Sequence, residues 1–177
     1  MPIPLGILAA AGRSQAPAGA FQLLESTVLT GSQASVEFTN LTTKYAATYQ
    51  HLQIRYVGQA TGVLGLQFNT ITTNSYRDHR LYGFNGSTGS DTINTDRIYI
   101  GRAGEMSPGV IDILDPFETT KNKTVRTLNG DLSGTPIIQL ISGAWFSTNS
   151  VTSIRLFGQG NWAQFSRFSL YGIKATA

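Results

Sequence analysis

FSRFSLYGIK, residues 165–174, alternates almost without interruption, and its reading decides the fold class. In a pleated strand Phe168, Leu170 and Gly172 point to one side, and Arg167, Ser169, Tyr171 and Ile173 to the other. A strand this rich in aromatic and apolar residues, three residues from the last one, frays unless it is paired and covered. The stretch therefore predicts a strand paired inside a sheet, with one face under a second layer built from earlier strands.

Composition agrees with that cover being β-structure. Only 13% of the 177 residues are charged, against about 25% in an ordinary soluble domain. Long helices use Lys and Glu on their wet face, so the scarcity of both argues against them. Solubility is carried by Ser, Thr and Asn, with 19 glycines for turns. The chain has no cysteine, which removes disulfides, thiol nucleophiles and thiolate metal sites together. The net charge of +3 comes from dispersed basic residues. Nucleic-acid binders concentrate such charge in a patch or an arm, so no nucleic-acid partner is expected.

Upstream, short apolar-alternating runs follow one another, and roughly ten strands are predicted. FQLLESTVLTGSQASVEF (21–38) reads as two strands around Gly31-Ser32, with Val36 and Phe38 facing in. LTTKYAATYQ (41–50) reads as one helical turn or a loop. HLQIRYVG (51–58) and VLGLQFN (63–69) read as a hairpin closed by QATG. NGSTGSDTINTD (85–96) is nearly free of apolar residues and reads as a surface loop. RIYIGR, GVIDILD, KTVRTLNG, TPIIQLISGAWF and VTSIRLFG complete the series. Such spacing leaves no room for the crossover helices of a parallel sheet. The expectation is an all-β, two-sheet β-sandwich of jelly-roll type over residues 21–177. Its core is expected to draw on Leu52, Ile54, Leu64, Leu66, Phe68, Ile98, Ile100, Ile111, Ile113, Ile138, Leu140, Ile154, Leu156, Phe168 and Leu170.

Residues 1–20, MPIPLGILAAAGRSQAPAGA, stand apart as an extended N-terminal arm and linker. The apolar run is too short for a membrane span, so no membrane is expected. Pro2 and Pro4 favour an extended backbone. Ile3, Leu5, Ile7 and Leu8 are then apolar side chains needing a partner, which nominates the arm as an interface element.

Catalytic chemistry finds little footing. His79 follows Asp78, but neighbours on a strand point to opposite faces, so the acid is badly placed to orient the ring. Asp112 and Asp115 are close in sequence, yet one lies on a strand and the other at a turn before Pro116. No phosphate-binding, zinc or hydrolase motif is present. No catalytic, cofactor or metal site is expected, and the chain is not expected to be an enzyme. Trp145 and Trp162 are weighed as sugar-stacking platforms and preferred as interface anchors, with His79 as a third candidate contact.

MPIPLGILAAAG, HLQIRY, HRLYG, GVIDILD with TTKNKTVR, and SRFSLYGIK taken together resemble virion structural proteins of tailed bacteriophages, especially those of cyanobacteria and other aquatic bacteria. The resemblance implies a particle component without catalysis. It points to a capsid decoration (cement) protein on the outer capsid surface, bridging major capsid subunits as a homotrimer. Pro2, Ile3, Leu5, Ile7, Leu8 and Arg13 would belong to the clamping arm. The alternative it leaves open is a tail or fibre-associated protein with glycan- or receptor-binding loops.

Overall fold

The computed structural model describes residues 20–131, 134 and 136–174. The expected arm falls outside the described residues except for Ala20.

The fold is all-β. Ten antiparallel strands follow in order: β1 (Phe21–Val28), β2 (Gln33–Phe38), β3 (His51–Phe68), β4 (Tyr76–Phe84), β5 (Ser87–Thr95), β6 (Ile98–Leu114), β7 (Lys123–Asp131), β8 (Ile137–Trp145), β9 (Ile154–Trp162) and β10 (Arg167–Ile173). One five-residue helix, α1 (Leu41–Tyr45), sits between β2 and β3 and buries Leu41. As expected, β10 lies inside the sheet, paired with β1 on one side and β3 on the other, with Phe168 and Leu170 fully buried.

All ten strands belong to one hydrogen-bonded sheet, with main path β1-β10-β3-β6-β7-β8-β4-β5 and a branch through β2 and β9. Two long strands make the branch. The expected hairpin at QATG is a single 18-residue strand, β3, and RIYIGR and GVIDILD are the two ends of a single 17-residue strand, β6. The first half of β3 pairs with β10 and the second half with β9, while β6 accompanies it along most of its length. The register slips between Gly58 and Val63, where Gly62 has φ 77°. An extra residue in a left-handed conformation is a bulge, which bends a strand without ending it. The glycines that read as a turn are therefore a bend.

The bend brings the branch over the main path. Phe68, at the end of β3, meets Trp145 of β8 with ring centroids 5.5 Å apart, and Tyr76 of β4 stacks on the same indole. Farther along, Trp162 of β9 packs edge-on against Phe168 at 4.9 Å and against Tyr56. One continuous apolar core results.

The expected surface loop at 85–96 is a strand for most of its length. Asn85 and Gly86 both have positive φ (46° and 77°), the two-residue turn that joins antiparallel strands, and β5 returns along β4.

Candidate interaction surface

β8 decides which way the main path faces. IIQLISGAW is apolar in both phases, and the core expected from the sequence includes Ile138 and Leu140. The structure turns them out, 67% and 52% exposed, and buries Ile137, Gln139, Ile141 and Trp145 instead. The reason is a polar seam on the inner face. Gln139 accepts from the Tyr99 hydroxyl at 2.7 Å and donates to Asn129 Oδ1 at 3.3 Å. Asn129 also accepts from the Arg102 backbone at 3.0 Å and donates to the Tyr56 hydroxyl at 3.0 Å. Gly101, with φ 126°, makes room for the amide: a Cβ there would stand 2.2 Å from Asn129 Oδ1. Arg80 grips Asp91 through a two-pronged pair and donates to Tyr99 and Gln139. A buried amide so well satisfied costs little, and a strand cannot turn one residue inward without turning its neighbours out.

On the outer face Leu81, Leu140 and Leu128 are direct cross-strand partners on β4, β8 and β7. They are 58%, 52% and 54% exposed. Ile138 lies on the next rung between Gly83 and Gly130, and a Cβ on either glycine would meet no atom within 4 Å. Four large aliphatic side chains thus form one uncovered stripe. It runs into a groove of about 650 Å³ at the β4–β5 turn, lined by Phe84, Pro108, Pro136 and Ile137 among others. Two of the four are legible in the sequence as anomalies: Leu81 shares its phase with Arg77 and His79, and Leu128 shares its phase with Thr124 and Arg126.

Elsewhere the outer face mixes polar networks with further exposed apolar side chains, Phe21, Leu23 and Val28 on the edge strand β1 and Val57 on β3. Gln53 donates to Asp112 at 2.7 Å and accepts from Arg55 at 2.7 Å, and Arg55 lies over Tyr171 and Phe21. His79 is exposed beside the stripe, bonded through Nδ1 to the Thr92 hydroxyl at 2.9 Å. Its position suits a surface contact. Asp78 points inward, away from it, with 1% exposure. Trp145 and Trp162 are corrections: they are 2% and 0% exposed, both are core residues, and neither offers a ring face to a partner or a sugar. The turn formers of GQGNWAQF suggest an exposed Trp162, but β9 extends through them and the indole Nε1 donates to Leu156 O at 3.2 Å. Pro2, Ile3, Leu5, Ile7, Leu8 and Arg13 lie outside the described residues.

A second cavity, about 410 Å³, is lined by Arg80, Arg97, Arg102 and Tyr99. Its first two guanidinium groups are committed to Asp91 and Asp96. Asp112 and Asp115 do not converge: Asp112 faces Gln53, and Asp115 holds Lys121 and Gln50. Among the described residues no group of three acidic or histidine side chains is placed to hold a metal ion.

Comparison with protein-family models, with curated proteins and with solved structures finds no match to this chain.

Proposed function

We propose that the chain is a non-enzymatic structural subunit of a bacteriophage particle, a decoration protein on the outer capsid surface that contacts the major capsid protein and its own copies, as a homotrimer. The observation that carries the reading is the stripe of Leu81, Leu128, Ile138 and Leu140, four contiguous aliphatic side chains in cross-strand register on an exposed sheet face. Contiguous apolar surface of this kind marks contact with another macromolecule. The sequence resemblance supplies the particle. The layered body, read as a sandwich of jelly-roll type, supplies a stiff plate on which the stripe is presented. The N-terminal arm, with Ile3, Leu5, Ile7 and Leu8, adds a second contact on the shell, and Arg13 pairs with acidic capsid surface. No specific observation favours the tail or glycan-binding alternative, since both tryptophans that would stack on a sugar are in the core.

The test is co-sedimentation with particles stripped of the protein. Wild-type chain should bind and resist washing. Leu140→Asp and Leu81→Asp should each lower bound protein more than tenfold. Their folding stability should stay within about 0.5 kcal/mol of wild type, because the replaced side chains are outside the core. Undiminished binding by both folded variants would remove the stripe from the mechanism, and no binding by the wild type would remove the capsid.

A further inference from the structure

We propose that the cavity walled by Arg102, Gln159 and Asp96 is a binding site for a small hydroxylated carboxylate, with the Arg102 guanidinium holding the carboxylate group. The site is separate from the stripe and does not depend on which particle the chain belongs to. Arg80 and Leu81 are neighbours on β4, so the cavity and the stripe lie on opposite sides of that strand.

Charge is the first argument. Arg80 is paired with Asp91, and Arg97 with Asp96, whose carboxyl the Arg97 guanidinium holds below its ordinary pKa. Arg102 is left over. It is exposed, its backbone N–H goes to Asn129 Oδ1, and its guanidinium has no partner among the described residues. Three guanidinium groups against two carboxylates leave one positive charge, so the complementary occupant is a monoanion. The planar guanidinium fork fits a carboxylate in shape as well as charge. Asp96, on the wall, repels a second negative charge and so disfavours a dianion.

Backbone geometry is the second. Leu64 pairs with Gly101 but Gly65 pairs with Tyr99, which makes Ile100 an extra residue in β6. A regular strand sends residues three apart to opposite faces. With the bulge between them, Tyr99 and Arg102 both reach the same cavity, and re-aiming a side chain is what bulges beside functional sites do. Across the cavity, Gln159 of β9 accepts from the Val63 N–H through Oε1 at 3.3 Å. Gly62 permits that approach, because a Cβ there would stand 2.1 Å from the same oxygen. The Gln159 amide is thereby fixed by its oxygen, and its Nε2 has no partner among the described residues.

Size and lining are the third. The cavity's volume of about 410 Å³ falls in the range of small-molecule sites, about 300–1,000 Å³. Val63 is its one aliphatic wall. Arg102 and Gln159 Nε2 offer donors to a carboxylate. Asp96 gives two bonds to Arg97, and a carboxylate has roughly four acceptor positions, so it has capacity for ligand hydroxyls. Donors for an anion beside an acceptor for hydroxyls select a hydroxylated acid over a fatty or aromatic one. The floor is set in advance: Arg80 is held by Asp91, Tyr99 and Gln139 before any ligand arrives.

The test is isothermal titration calorimetry of the full chain with sodium gluconate at neutral pH and constant ionic strength. Acetate, which lacks the hydroxyls, and sulfate, which carries a second charge, are the comparison ligands. Gluconate should bind saturably, one per chain, and more tightly than either. Arg102→Gln should weaken it at least about tenfold, the scale of losing a charge-assisted pair, with the thermal unfolding midpoint unchanged because that side chain touches nothing. Gln159→Leu should weaken it as well. Arg167→Gln removes the same charge from an exposed position on β10 and should bind as wild type does. Four results would each overturn the proposal: no saturable binding of gluconate, wild-type affinity in Arg102→Gln, an equal loss in Arg167→Gln, or acetate or sulfate binding as tightly as gluconate.

Discussion

Trp162→Ala should lower folding stability by about 3–5 kcal/mol, the range for emptying a large aromatic site in a packed core. Its ring is fully buried between Tyr56 of β3 and Phe168 of β10, and its Nε1 donates to Leu156 O. It also sits where β3 exchanges β10 for β9 as its neighbour. A Cβ at Gly58 would come within 3.0 Å of the indole, so the backbone there is already as close as it can come. Nothing nearby can move in to fill the void, because the neighbours are backbone and rings fixed by their own strands. Urea unfolding followed by far-UV circular dichroism measures the loss. Phe165→Ala, 66% exposed only three positions away, is the control and should change stability by less than about 0.5 kcal/mol. A loss at Trp162 no larger than the control's would contradict the packing described for the bend.

Asp78→Asn should stabilise the protein at neutral pH, with the gain disappearing in acid. Asp78 is 1% exposed; one carboxylate oxygen accepts from the Tyr99 backbone at 2.9 Å and the other has no hydrogen-bond partner among the described residues. Burial raises its pKa above the ordinary 3.8, against the opposing pull of the Tyr99 N–H, with Asp91 adding to the rise. A folded-state pKa above the unfolded value means that the folded state binds the proton more tightly. The favourable contribution is then complete below pH 3.8 and is lost as pH rises through the folded pKa. Asparagine keeps an acceptor for Tyr99 and has no charge to bury. Its amide nitrogen is left as unpaired as the carboxylate oxygen it replaces, so only the cost of burying charge is relieved, and the variant should exceed wild type by on the order of 1 kcal/mol at pH 7. Near pH 3.8 the two unfolding midpoints should converge. Parallel stability curves across that range would mean that Asp78 is not under strain from its burial.

These two sites also separate what can be read from the chain alone from what cannot. Alternation in FSRFSLYGIK, scarce charge and recurrent turn residues are enough for an all-β fold, an internal last strand, and a core containing Ile54, Leu66, Phe68, Ile113, Leu156, Phe168 and Leu170. These features are local: each depends on spacing within a few residues of one strand. The same is true of Asn85-Gly86, a hairpin signal whose polar flanks disguise the strand that follows it.

Three matters are decided only by tertiary structure. Whether Gly62 turns the chain or bends it depends on β6 running alongside through the bulge, which no property of QATG announces. Whether Trp162 is wet or dry depends on Tyr56 and Phe168, about a hundred residues before it and six after. The stripe is the clearest instance. IIQLISGAW can bury either phase on hydrophobicity alone, and hydrophobicity favours burying Ile138 and Leu140. Gln139 goes inside because Tyr99 and Asn129, brought from β6 and β7, satisfy its amide there. Once it does, the pleat alternation sends two of the strand's largest aliphatic side chains to the surface, and the face that results is the one the proposed function uses.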